Sequence, residues 1–276
     1  MTSELIIKFK TYLVNDEKAS ATIEKYIRDI STFKKWLMDK ELCKTVVLAY
    51  KEKLIGVYAP RSVNSIISSL NAFFNFISRK DCCIKTLKIQ RQIFASKEKE
   101  LTKPEYERLL SVAYNKKNER LYYLMQTICS TGIRVSELRY ITVSAVFAGK
   151  AIINCKGKTR TVFLSTKLCG ILKKYIKRNK ISDGCVFVTK NGRPLDRSNI
   201  WSDMKKLCED AGVSKEKVFP HNLRHLFART YYNLEKDIVR LADILGHSSI
   251  ETTRIYTLEC GEIHRMQIEK MHLLRC

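Results

Sequence analysis

Apolar residues return every three to four positions through residues 5–77, and that period leaves the segment few folds. Leu5, Ile6, Phe9, Tyr12 and Leu13 share one helical stripe, and Ile23, Tyr26, Ile27, Ile30, Phe33 and Leu37 share a longer one after Ser20. Residues 45–55 read as a third helix stopped by Gly56. Pro60 suits the first turn of a fourth, whose stripe is Val63, Ile66, Ile67, Leu70, Phe73, Phe74 and Ile77. Each stripe must be covered, and four helices of this size can cover one another. Residues 1–80 are therefore expected to form a helical bundle domain.

Beyond it the period weakens and charge rises, ending in Ser96-Lys97-Glu98-Lys99-Glu100, so residues 81–100 read as a linker. A second domain, 101–276, starts where Thr102 and Glu105 have the spacing of a capping box. A helix over 118–130 runs into Gly132, a turn that lets Arg134 begin a short new helix. Two β-branched runs, 151–155 and 160–164, flank Lys156-Gly157-Lys158-Thr159 and predict a hairpin with a basic turn. Gly157-Lys158-Thr159 is not a phosphate-binding loop, because Ile152 stands where that motif needs its earlier glycine. Leu168, Ile171, Leu172, Tyr175 and Ile176 mark another helix; Val186-Phe187-Val188 precedes an Asn191-Gly192 turn, and Ser198 is placed to cap a helix through Leu207. The expected class is mainly α with a small antiparallel sheet (α+β): an N-terminal helical bundle followed by a mixed, mostly helical domain.

The chemistry concentrates between Pro220 and Tyr256. Pro220 precedes a helical run over 222–232, so His221 and Arg224, three apart, share a face near a helix N-terminus, where the dipole favours an anion. Gly246 fits the left-handed stop of a helix over 237–245, which leaves His247 just outside that end. Ser248 and Glu251 have capping-box spacing for a further short helix with Tyr256 in its last turn. An Arg fork holds two phosphate oxygens, imidazoles donate to them or shuttle a proton, and a phenol can attack. Taken singly, each residue has a plain structural role: one of thirteen tyrosines is usually core or surface, and an Arg or His on a basic chain is usually solvated. Arg134 could equally serve as the ion-pair partner of Glu137. The order and spacing of the set carry the signal.

A formal charge of +23 in 276 residues, spread along the chain, calls for a polyanionic partner, and nucleic acid leads. A ribosome-associated or membrane-surface role is the other reading of that charge, but no basic amphipathic helix stands out. The ten cysteines include no C-x-x-C pair, no apolar run is long enough to span a bilayer, and no secretory signal is expected. Reduced thiols in a cytoplasmic protein, with no metal and no membrane, are the expectation.

The boxes Thr131-Gly132-Ile133-Arg134-Val135-Ser136-Glu137-Leu138, His221-Asn222-Leu223-Arg224-His225 and Leu245-Gly246-His247, followed by Tyr256, resemble the tyrosine recombinases, the phage-integrase and Xer-like family. Leu101-Thr102-Lys103-Pro104-Glu105 is similar to the entry of that family's catalytic domain; before it the likeness is in helical pattern alone. The resemblance implies a core-binding bundle and a catalytic domain closing around duplex DNA, with Arg134, Lys156, His221, Arg224, His247 and Tyr256 as catalytic residues. A hairpin lysine acts as general acid in the family; Lys156 matches best by place and Lys158 is the reserve. Also implied are a covalent 3′-phosphotyrosine intermediate, no cofactor, DNA with specific sites as substrate, a homo- or hetero-tetramer on paired sites, directionality or accessory proteins, and a nucleoid-associated cytoplasmic location. The tail, about 257–276, carries Ile263, Met266, Lys270 and Leu274 at near-helical spacing and is expected to pass between protomers. The task would be integration or excision, inversion, or dimer resolution. A type IB topoisomerase and a catalytically inactive DNA-binding relative are the other classes.

Overall fold

The computed structural model describes residues 3–89, 99–155, 158–189, 191–256 and 269–271. The chain divides into two compact units, Met1–Arg91 and Gln92–Cys276. As expected, it is mainly helical with one small antiparallel sheet.

The first unit is built on helices α1 (Ser3–Asn15), α2 (Ser20–Leu37), α3 (Lys44–Val57) and α4 (Pro60–Phe76). Their stripes meet in a core where Phe9, Ile30, Phe33, Val47, Val63, Ile67, Leu70, Phe73 and Phe74 are wholly buried. The aromatics interlock edge to face, Phe9 with Phe73 at 5.2 Å and Phe33 with Phe74 at 5.9 Å between centroids, the arrangement ring quadrupoles favour. Pro60 opens α4 as its missing N–H predicts. Gly56 does not stop α3. Its φ is not positive and the helix runs through it to Val57, ending where Tyr58 turns extended ahead of Pro60. After α4, the side-chain amides of Asn64 and Asn71 each bond both ways to extended backbone, at Leu87 (2.9 and 2.6 Å) and Ile84 (2.8 and 3.1 Å). They act there as a partner strand would, so residues 84–87 are held along α4.

The second unit contains α5 (Lys103–Asn115), α6 (Glu119–Thr131), α7 (Val143–Ala148), strands β1 (Lys150–Cys155) and β2 (Lys158–Phe163), α8 (Thr166–Arg178), α9 (Arg197–Lys205), α10 (Pro220–Glu235), α11 (Ile238–Leu245) and α12 (Ile250–Thr253). The Thr102–Glu105 capping box forms, Oγ1 accepting from the Glu105 N–H at 3.4 Å and the Glu105 carboxylate accepting from the Thr102 N–H at 2.8 Å. Cys155 pairs with Lys158, so Lys158 and Thr159 belong to β2. Both were expected in the turn, but the ladder continues past the apolar run that marked the strand. Asp196, not Ser198, caps α9: its carboxylate accepts from the Ser198 N–H at 3.1 Å. The interior gathers α6, α8 and α10 with Leu124, Met125, Ile128, Leu172 and Leu223 among its buried side chains.

Candidate active site

The site is assembled on α10, which the sequence starts and anchors firmly. Pro220 supplies its first turn after extended Phe219. Asn222, 4% exposed, then donates its amide to Lys99 O at 2.9 Å and Lys217 O at 2.7 Å, pinning the helix start. One turn on, Arg224 is the largest fully buried side chain of the chain's described residues, 1% exposed. Its Nη1 donates to Gly132 O (2.7 Å) and its Nη2 to Leu245 O (2.8 Å) and His247 Nε2 (2.9 Å). Both carbonyls are offered by helix ends that the glycines terminate. Gly132 caps α6 at φ 66° and Gly246 caps α11 at φ 66°, a conformation that disfavours any side chain. A Cβ at Gly132 would also meet the Phe227 ring, and one at Gly246 would lie 2.5 Å from Arg160 Cδ.

Three of the five guanidinium N–H donors are thus used, while the buried Nε has no hydrogen-bond partner among the described residues. Leaving a buried donor unmet costs about 1–3 kcal/mol, and an anion beside it would remove that cost. Burial, then the nearby Arg134 charge, lowers the Arg224 pKa to about 10, opposed by Tyr256 and Glu137; the group stays cationic at neutral pH.

Arg134 follows Gly132 and caps the short helical turn Val135–Tyr140. Glu137, 2% exposed, receives the Arg134 N–H (2.7 Å), the Arg134 Nη1 (3.0 Å) and the Arg160 Nη2 (2.6 Å), and Arg160 also donates to Ile244 O. Burial alone would raise the Glu137 pKa, but the Arg134 N–H and the Arg160 and Arg134 charges outweigh it and hold it low. One carboxylate therefore ties the first-arginine turn, the hairpin and the end of α11 together.

The phenol lies at the same place. Tyr256 ends the turn Arg254–Tyr256 after α12 and is 3% exposed. Its ring meets His225 edge to face at 4.8 Å and stacks with His247 at 6.1 Å; His225 in turn meets His221 at 4.6 Å. His247 Nδ1 lies 2.8 Å from Oγ1 of the buried Thr253. All three imidazoles are shifted towards the neutral form. Desolvation, then cationic neighbours, lowers His247 to about 4, and desolvation with His221 and Arg224 lowers His225 to about 4. His221 is lowered by desolvation and by Arg224, Arg134 and Arg197. That the Arg134 charge acts on Arg224, His221 and His247 alike places all of them in one electrostatic neighbourhood.

The structure thus brings together Arg134, His221, Arg224, His247 and Tyr256, drawn from positions as distant as 134 and 256. Lys156 and the side chain of Lys158 lie outside what the structure describes. The tail positions Ile263, Met266 and Leu274 also lie outside them. The Ser248–Glu251 box does not form: Ser249 is the N-cap residue, without a side-chain bond, and Glu251 pairs with Arg254 at 3.8 Å. Four residues that the sequence reading gave no site role join the cluster: Glu137, Arg160, His225 and Thr253. His225 could have been found from its i, i+4 spacing to His221 and Glu137 from its i, i+3 spacing to Arg134; Arg160 depends on contacts across the fold, and Thr253 on a bond to His247 six residues away across a helix end.

Among the described residues no group of His, Cys, Asp and Glu could hold a metal ion, and no helix is long and apolar enough to cross a membrane. Cys43, Cys82, Cys83, Cys129, Cys169, Cys185 and Cys208 are free thiols.

Three comparisons bear on this arrangement. The sequence model of the phage integrase family matches residues 99–260. Tyrosine recombinase XerA of Thermococcus kodakarensis is 31% identical over 99% of this chain and 96% of its own length. Tyrosine recombinase XerD of Listeria monocytogenes is 28% identical over 92% of this chain and 94% of its own. A lambda integrase dimer bound to a COC' core site shares the fold with a TM-score of 0.76 at 18% identity, covering 94% of this chain and 96% of that one. XerH bound to a palindromic difH substrate in a post-cleavage complex does so with 0.74 at 20%, covering 98% and 84%.

Proposed function

We propose an activity on this basis: the chain belongs to the phage integrase family of tyrosine recombinases, and its second unit gathers a buried arginine, a second arginine, neutral imidazoles and a phenol at one point. It is a tyrosine-type site-specific DNA recombinase. The finer reading is that Tyr256 Oη attacks a DNA phosphodiester, the bond to the 5′ oxygen breaks, and a 3′-phosphotyrosine remains. Arg224 and Arg134 hold the non-bridging oxygens and stabilise the charge gained in the pentavalent transition state; each such donor is worth on the order of 10²- to 10³-fold in rate. His247 adds a hydrogen bond, His221 handles the proton, and Lys156 protonates the departing 5′ hydroxyl. The phosphodiester's energy is conserved in the phosphotyrosyl bond, so a second 5′ hydroxyl reverses the step without an external energy source.

The observation that carries this reading is the buried Nε of Arg224, a donor with no partner in a cationic pocket beside a buried phenol. An anion is the strongest acceptor for a buried charged donor of this kind. The first unit serves in this reading as the core-binding domain, its lysines and arginines contacting the duplex backbone. XerH and lambda integrase are known in DNA-bound form, the latter also as a tetramer on a Holliday junction, and this chain is read as acting likewise on two paired sites.

The test is a nicked suicide duplex built on a sequence selected for binding from a random library. The wild-type chain is expected to accumulate a covalent adduct. Tyr256→Phe should bind the duplex equally and form none. An adduct of wild-type yield from Tyr256→Phe removes the assignment, and relaxation of supercoiled plasmid without exchange between sites would point to a topoisomerase instead.

A further inference from the structure

The hydrogen bonds through His247 have a direction. A guanidinium can only donate, so at 2.9 Å from Arg224 Nη2 the His247 Nε2 accepts. A neutral imidazole carries one N–H, which therefore sits on Nδ1 and points to Thr253 Oγ1 at 2.8 Å. In this state His247 offers an incoming phosphate a lone pair instead of a donor, and it occupies one Arg224 N–H as well. The reading above needs both groups to donate to phosphate oxygens.

The partner on the far side of the ring resolves the conflict. A hydroxyl both accepts and donates, whereas a carbonyl or carboxylate would only accept and a methyl would do neither. Thr253 is 0% exposed, so bulk water does not reach its hydroxyl to take over its part.

We propose that Thr253 is a positioning residue that lets His247 change tautomer in place. With the site empty, the Thr253 oxygen accepts from Nδ1–H and Nε2 accepts from Arg224. When phosphate arrives, the Thr253 hydroxyl turns and donates to Nδ1, while Nε2–H donates to a phosphate oxygen. The His247 ring, unlike Thr253, is part-exposed, so water can take the proton from Nδ1 and supply one at Nε2, and the protein's charge is unchanged. Arg224 keeps all its protons and its freed N–H turns to the phosphate. Thr253 also lies three residues before Tyr256 on the same run of helical turns, so the ring's support and the nucleophile share one short segment. The inference rests on the phosphate-clamp reading of the site.

The experiment is ¹⁵N NMR of the full chain with labelled histidine and arginine, at neutral pH, titrated with inorganic phosphate. In the free protein His247 should be protonated on Nδ1. As phosphate saturates the Arg224 Nε–H signal, protonation should pass to Nε2. Thr253→Ser should repeat both states; Thr253→Val should lose the defined starting tautomer and fail to switch. Single-turnover cleavage should fall about tenfold or more in Thr253→Val and stay within roughly threefold in Thr253→Ser, the loss of one buried hydrogen bond. An Nε2–H tautomer in the free protein overturns the proposal. So does an Arg224 signal that responds to phosphate while His247 keeps Nδ1–H, or a valine variant that switches normally. If the valine variant does not fold, the wild-type and serine titrations decide alone. Indifference of both Arg224 and His247 to phosphate would instead sink the clamp reading beneath it, whereas failure of the Tyr256→Phe test would leave the tautomer shifts in place.

Discussion

In the N-terminal unit the only fully buried polar residue described is Ser69, bonded to Asp29 at 2.8 Å and Lys25 at 2.9 Å; in the second unit Thr127, Thr131, Glu137, Asn222, Arg224 and Thr253 are all buried. The first unit is stabilised in the ordinary way, by apolar stripes that cover one another. The second accepts a buried guanidinium and a buried carboxylate, each costly unless paired. Four of its six, Glu137, Asn222, Arg224 and Thr253, lie at the candidate site or pin the helix that carries it. Where a chain tolerates that cost marks where its chemistry is.

The contrast can be broken most sharply at Arg224. Arg224→Lys keeps a charge but loses the planar fork, and single-turnover cleavage is expected to fall by about 10²- to 10³-fold, while the first unit's unfolding is untouched. Near-normal cleavage in that variant would mean that the buried fork is structural. Next in size, Glu137→Gln removes the carboxylate that Arg134 and Arg160 share, and about 3 kcal/mol of the second unit's stability should go with it. Phe73→Ala should cost the first unit a similar 3–5 kcal/mol by leaving a cavity, and differential hydrogen exchange would assign each loss to its unit. Both losses falling on one unit would contradict the division.

A smaller effect follows from the imidazoles. His225 and His247 are held near 4 against an ordinary value of about 6.5. Between those values the unfolded chain binds more protons than the folded one, so stability is fully present above the unfolded pKa and lost as pH falls towards about 4. The loss should be at most roughly 3 kcal/mol per histidine, confined to the second unit, and reduced in His225→Phe. A chain whose second unit is equally stable at pH 7 and pH 4.5 would show that these rings are not buried as neutral groups.

Much of the architecture was legible because it is local. Pro60, the Thr102–Glu105 box, Gly132 and Gly246 each act within a turn of their own position, and each helix or cap they predicted is present. Local signals misled where two candidates competed. Ser198 and Ser248 have capping chemistry, but Asp196 and Ser249 hold the extended backbone at the cap. Gly56 shows that a glycine with a helical φ need not end a helix. At the site, the positions of Arg134, Arg224, His247 and Tyr256 and the pairing of Arg134 with Glu137 could be read from spacing, whereas the parts of Arg160 and Thr253 could not. Glu137 acts on Arg160 across 23 residues, and Arg160 on Ile244 across 84, distances at which sequence pattern carries no register.

The central claim is that Tyr256 becomes covalently bonded to DNA at the pocket organised by Arg224. The most direct measurement is to trap wild-type chain on a nicked suicide duplex, digest the adduct with nuclease and protease, and identify the nucleotide-bearing peptide by mass spectrometry. The account predicts a nucleotide linked through phosphate to Tyr256 and to no other residue. A nucleotide on Tyr231, Tyr232 or a serine, from a chain that exchanges strands, would contradict it.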